Sequence, residues 1–343
     1  MKSNDMKATR DGFGEALVEL GKTDRQVVVL TADLGESLKV TDFAKQFPDR
    51  FIQVGVAEQN MAGIAAGLAA EGFIPFITSF AVFNPGRNWE QIRASICYAN
   101  LNVKIIGGHS GLSNGPDGAT HQGLEDIALA RVLPNMTVLV PADYNQARAA
   151  TLAAAENKGP IYIRLTREKT PVFCHRDIPF RIGKAEILKE GTDVTIVACG
   201  PLVYEAIKAA EALQNGYNGL NGLNGYKDKL RASSHFDHSS HSNHFSSPLS
   251  AEVINVSTIK PLDVQTIVKS ARKTGRVVTV EEHQITGGLG GAVAEVLSEF
   301  CPVPIKRVGM KDCFGESGEA GELLERYEMT AENIFKSVLE VVK

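Results

Sequence analysis

The stretch FIQVGVAEQNMAGIAAGLAAEG, residues 51–72, carries two structural periods back to back. FIQVGV (51–56) is a short apolar run of the kind found in strands buried inside parallel sheets, whereas AEQNMAGIAAGLAAEG (57–72) is rich in Ala and reads as a close-packed helix. A strand leading directly into a helix is the repeating unit of a wound α/β sheet. The unit recurs on both sides of this stretch. Before it stands the strand QVVVLTADL (26–34). After it come a helix over 88–98, strand VKIIGG (103–108), helix LEDIALARVL (124–133), strand TVLVPAD (137–143), helix 145–157 and strand IYIRLTR (161–167). Beyond a polar connection near 170–190 the alternation restarts at DVTIVACGP (193–201). It continues through helix 202–214, strand AEVINVST (251–258), helix 263–274, strand RVVTVEEH (276–283), helix 288–300, a strand near 304–310 and a last helix 331–342. The expected fold class is therefore α/β, two domains with mostly parallel sheets covered by helices, spanning 1–175 and 176–343.

The composition agrees. A chain of 343 residues has room for about two cores, and 43% hydrophobic with 22% charged residues excludes collagen-like, wholly disordered and disulfide-scaffold classes. Lys and Arg total 36 against 40 Asp and Glu, a net charge of −4, so no global basic field invites nucleic acid or an anionic membrane. Five widely spaced cysteines without a C-x-x-C pair fit a reducing compartment, and the N-terminus lacks an apolar signal core, which makes the cytoplasm the expected location. Residues 215–250 depart from the scheme: with 4 Gly, 5 Asn, 8 Ser and 4 His in 36 positions they read as a low-complexity insertion. Its histidines (His235, His238, His241, His244) are spaced for at most adventitious metal binding.

Several residues could carry chemistry. Glu58 opens a helix just after a strand, where ligands of wound sheets gather, although a carboxylate is favoured there for the helix dipole alone. The loop GGHSGLSNGPDGATHQGLED (107–126) places His109, Asp117 and His121 among four loop glycines between a strand and a helix, a supply of proton-transfer and hydrogen-bonding groups on a tightly turning backbone. Phe80, Phe83 and Trp89 form an aromatic run that could equally be core. Arg10 and Arg167 could meet a phosphate bidentately or simply form surface ion pairs. GGLGG (287–291) reads as a tight strand-to-helix turn rather than a dinucleotide loop, because Val293 stands at the final glycine position.

Taken together, TADLGES (31–37), GVAEQNMAGIAAGLA (55–69), SFAVF (79–83), HSGLSNGPDGATHQGLEDIALAR (109–131), VINVSTIKPLD (253–263) and TVEEHQITGGLGGAVAE (279–295) resemble the transketolase family. The resemblance spans nearly the whole chain outside 215–250. It matches the pyrimidine-binding and C-terminal domains of that family, while the G-D-G motif of the diphosphate-binding half is not among these residues.

The resemblance implies a thiamine diphosphate-dependent enzyme that transfers a ketol unit between sugar phosphates. It implies a partner, the N-terminal transketolase subunit, carrying the diphosphate together with Mg²⁺ or Ca²⁺, in a heterotetramer of two copies of each chain. By resemblance Glu58 and His121 are catalytic; Glu58, Phe80, Phe83 and Asp33 bind the cofactor; and Arg10, Ser37, His109, Asp117, His121 and Arg167 bind substrate. No metal ligand is assigned to this chain. Deoxyxylulose-phosphate synthase shares the D-G-x-T-H pattern but typically has Asp followed by Arg where this chain has His109 and Ser110. The β subunit of a 2-oxoacid dehydrogenase has no polyol phosphate for DGATH to meet. A non-catalytic interaction module is opposed by the intact Glu58, His109, Asp117 and His121.

Overall fold

The computed structural model describes residues 5–215 and 248–343. Residues 216–247 of the low-complexity segment, its four histidines among them, therefore lie outside the described residues.

Two sheets organise the chain. The strands of the first half are β1 (Met6–Lys7), β2 (Val27–Thr31), β3 (Phe51–Gln53), β4 (Ile74–Phe80), β5 (Lys104–Gly108), β6 (Thr137–Leu139), β7 (Ile161–Arg164) and β8 (Thr170–Pro171). The second half adds β9 (Glu186–Lys189), β10 (Val194–Ala198), β11 (Ala251–Asn255), β12 (Thr258–Lys260), β13 (Val277–Gln284) and β14 (Ile305–Met310). The larger sheet runs β12-β6-β7-β5-β4-β2-β3 and the smaller β14-β13-β10-β11-β9. Pairing in these two sheets is parallel except at one edge of each, where β12 and β9 run antiparallel; β1 and β8 form a separate two-stranded antiparallel pair.

Burial explains why these runs became strands. Every residue of β2, β4 and β5 is buried, as expected for central strands covered on both faces. Helix Glu58–Ala70 turns Glu58, Met61, Ala62, Ala65, Ala66 and Ala69 inward, a three-and-four spacing whose small side chains let it lie close to the sheet.

Strand order fixes where a ligand could sit. β2 is followed in the chain by β3 on one side, whereas β4 pairs with it on the other. The winding direction thus reverses between β3 and β4, and the carboxyl ends there form the crevice in which wound sheets bind ligands.

The structure departs from the sequence expectations in places. The helix expected over 88–98 is one α-turn, Trp89–Gln91, running into a π-helix, Ile92–Cys97, in which the Tyr98 N–H reaches the carbonyl of Arg93. AEVINVST is two strands. Its first part, β11, lies in the smaller sheet, and the chain then crosses so that β12 extends the larger one. The crossing is held by the Val140 N–H bonding to the Ser257 carbonyl at 2.8 Å and by Asn255 and Ser257 side chains meeting Gln146. Helix Thr9–Thr23 and the edge strand β9 had no counterpart in the sequence reading.

Candidate active site

The carboxyl ends of the first sheet's strands collect the chemistry. Glu58, at the head of its helix, is 1% exposed. Its carboxylate accepts a hydrogen bond from Ser79 Oγ at 3.0 Å and pairs with Arg87 Nη1 at 2.7 Å. The Arg87 guanidinium also lies over the Phe83 ring, 4.3 Å from its centroid. Phe83 and Phe80 stack with centroids 6.3 Å apart, and Phe80 stacks on the His109 imidazole at 4.0 Å. His121 meets both phenylalanines edge-on, at 5.5 Å and 6.1 Å.

On the far side of His109 lies a cationic corner. Arg10 Nη1 donates to His109 Nε2 at 3.0 Å and to the Ser37 carbonyl at 2.9 Å. Burial, reinforced by the charges of Arg10 and Arg167 and by His121 and Lys39, lowers the His109 pKa to about 3. Burial also lowers that of Arg10, with the Arg167 charge adding to the effect and nearby carboxylates opposing it. His109 Nδ1 and Arg10 Nε are buried without a hydrogen-bond partner. Two unspent N–H groups beside a concentration of positive charge suit an anion. Arg167 pairs with Asp117 at 3.1 Å and donates to the Asn114 carbonyl at 3.4 Å. His121 is steadied by Thr120 Oγ1 at Nδ1, 2.9 Å, and its carbonyl accepts from Asn114 at 3.0 Å.

Nine of the ten residues to which the resemblance assigned a role thus form one connected patch: Arg10, Ser37, Glu58, Phe80, Phe83, His109, Asp117, His121 and Arg167. Asp33, in the loop after β2 and at a backbone φ of 62°, instead exchanges hydrogen bonds with Gln53. Trp89 turns away, its indole N–H bonding to the Leu129 carbonyl at 2.8 Å. The sequence reading missed Ser79 and Arg87, which act on Glu58. The signal for both was adjacency to the aromatic run: Ser79 precedes Phe80, and Arg87 stands four residues after Phe83. GGLGG is a turn whose anion is internal, because the buried Glu281 carboxylate accepts the Leu289 and Gly290 N–H groups at 2.6 and 2.8 Å. All five cysteines are free, and among the described residues no three His, Cys, Asp or Glu side chains are placed to hold a metal. No helix among them is long and apolar enough to cross a membrane.

A wound sheet with a buried carboxylate, an aromatic wall and an anion corner at its switch point defines a small-molecule-binding α/β module. Residues 5–172 match the family described as transketolase, pyrimidine binding domain, and residues 183–219 and 246–334 match transketolase, C-terminal domain. A protein of Methanocaldococcus jannaschii described as a transketolase C-terminal section is 44% identical over 341 residues, covering 98% of this chain and 97% of that one. A 6-deoxy-6-sulfo-D-fructose transketolase subunit of a Clostridium species is 41% identical, with 97% and 94% covered. A solved structure titled split gene transketolase, inactive beta4 tetramer, superimposes with a TM-score of 0.81 at 46% identity, covering 98% of both chains. The chain belongs to the transketolase family and carries its pyrimidine-binding and C-terminal domains.

Proposed function

We propose that this chain is the C-terminal subunit of a two-chain transketolase. It works with thiamine diphosphate to move a two-carbon ketol unit from a ketose phosphate such as xylulose 5-phosphate to an aldose phosphate such as ribose 5-phosphate or erythrose 4-phosphate. The observation that carries the reading is Arg87. A flat, N–H-rich group hydrogen-bonded to the buried Glu58 carboxylate and stacked on Phe83 stands in for an aminopyrimidine, which offers the same combination of ring face and N–H edge. The residues present therefore suit that cofactor.

When bound, the cofactor supplies the electron sink for an acyl-anion equivalent. The chain's own residues handle position and protons. Glu58 hydrogen-bonds the pyrimidine edge and holds or releases a proton there, with Ser79 fixing its other oxygen. Phe80 and Phe83 exclude water from the ring. His121 and Asp117 meet the sugar hydroxyls. Arg10, Arg167, Ser37 and the neutral His109 receive the terminal anion. That corner recognises a tetrahedral oxyanion, a shape shared by the phosphate proposed here and the sulfonate of the sulfofructose named for one relative. The N-terminal subunit would hold the diphosphate and its Mg²⁺ or Ca²⁺ in a heterotetramer of two copies of each chain. A relative of nearly equal length named as a subunit, and a solved structure titled as a split gene transketolase, support a division into two chains.

The test is ketol transfer by the chain mixed with a partner carrying the diphosphate-binding half, thiamine diphosphate and Mg²⁺. Glu58→Ala should lower turnover by roughly 10²–10⁴-fold, and the rigorously purified chain alone should be inactive. Undiminished turnover in Glu58→Ala would remove Glu58 from the chemistry, and robust turnover by the single chain would overturn the two-chain reading.

A further inference from the structure

Three consecutive residues at the carboxyl end of β13, namely Glu281, Glu282 and His283, are buried, titratable and unused by the proposed chemistry. Each gives its side chain to backbone N–H groups at the start of a different segment. Glu281 caps helix Leu289–Phe300. His283 donates from Nδ1 to the Gln284 carbonyl at 2.7 Å, which leaves Nε2 to accept the Ala128 N–H, 3.4 Å away in the first turn of helix Asp126–Arg131. The Glu282 carboxylate accepts the N–H of Ser113, inside the loop that joins His109 to His121.

The rest of that loop is gripped around the same point. Arg164 Nη2 reaches the carbonyls of Gly123 at 3.0 Å and Glu282 at 2.9 Å, and its Nε pairs with Asp126 at 2.8 Å. Gln122 donates to the Glu316 carbonyl at 2.9 Å, and the Gln284 N–H bonds to the Leu124 carbonyl at 2.9 Å. Apart from Arg164, these anchors come from the second half of the chain. Gly111 is shaped to the same carboxylate: at φ 84° it leaves no room for a Cβ, which would lie 2.6 Å from Glu282 Cδ. Holding a carboxylate 3% exposed is costly unless its hydrogen bonds are needed, and here the bond is made to the loop bearing Asp117 and His121.

We infer that Glu282 is a positioning residue: through it, the C-terminal domain sets the loop that presents Asp117 and His121 to the sugar. The inference rests on the sugar-facing role proposed above for those two residues. In the enzyme assembled with its partner, Glu282→Ala should raise the KM for both sugar phosphates about tenfold while thiamine diphosphate affinity, followed by titration, stays within twofold. Glu282→Gln keeps an acceptor for the Ser113 N–H and should recover most of the loss. Hydrogen exchange over 111–121 should quicken at least tenfold in Glu282→Ala and remain unchanged in helix Thr9–Thr23. An unchanged KM with unchanged loop exchange overturns the inference, as does a uniform rise in exchange throughout the chain, which would mark a purely structural role. If the wild-type assembly itself fails to turn over, the functional reading falls, and exchange over 111–121 still decides for or against the clamp.

Discussion

His109 concentrates the logic of the site in one ring. Arg10 can only donate, so the Nε2 facing it must carry the lone pair and the proton must sit on Nδ1. Protonating Nε2 would set two donors against each other, and burial opposes the charge as well; both effects agree with a pKa lowered to about 3. The ring should therefore stay neutral wherever an ordinary imidazole titrates. Its ring resonances, followed by NMR, should remain those of the Nδ1–H tautomer from pH 8 to pH 5, and a midpoint inside that range would contradict the geometry. The linkage has a definite sign. Below about pH 6.5 the unfolded chain binds a proton that the folded ring refuses, so this residue's contribution to stability falls as pH drops from about 6.5 toward 3. Relative to His109→Gln, wild type should lose up to about 1.4 kcal/mol per pH unit in that window.

At the scale of elements, legibility depended on whether a segment advertised its own partner. The inward Ala ridge of Glu58–Ala70 was readable because its spacing is local. Helix Thr9–Thr23 was not, because TRDGFGEALVELGKT includes three glycines that ordinarily weaken a helix by about 1 kcal/mol each. Their use appears only after folding: a Cβ on Gly12 would lie 3.0 Å from the Tyr144 carbonyl carbon, and one on Gly21 would run into the Phe47 ring. The loop after β5 is a third case. Its functional side chains were visible in the sequence, but its clamp was not, since Ser113 and Glu282 are 169 positions apart. Gly111 tests that clamp. Gly111→Ala should destabilise by about 1–3 kcal/mol, from its positive φ and its collision with the Glu282 side chain. In the Gly111→Ala, Glu282→Ala double variant the collision is gone, so the two losses should fall short of additive by at least about 0.5 kcal/mol, as read from a thermal-melt cycle. Strict additivity would mean that the two residues do not share the space.

For the whole molecule, alternating strand and helix patterns conveyed two wound sheets, and family motifs conveyed most of the patch at their edge. Neither conveyed how the halves are joined, because contacts such as Val140 with Ser257 and Arg164 with Glu282 pair residues far apart in sequence. Arg164 is the clearest of these. It is fully enclosed, pairs with Asp126, whose carboxylate also takes the Tyr162 hydroxyl at 2.6 Å, and crosses to the Glu282 carbonyl in the second half. A buried ion pair adds little over a well-packed apolar pair, but breaking one side leaves an uncompensated charge that costs about 3–5 kcal/mol. Arg164→Met should therefore lower the melting temperature by of the order of 10 °C. Pairing it with Asp126→Leu removes the stranded charge but takes the Asp126 partner from the Tyr162 hydroxyl and the guanidinium from the Glu282 carbonyl, and leaves the Gly123 carbonyl with the Gly111 N–H but without its second donor. The double variant should accordingly regain only part of the loss when followed by calorimetry. Full recovery would show that Arg164 serves Asp126 alone, and that the grip of the second half on the 109–126 loop is kept by the Gln122, Gln284 and Glu282 bonds without it.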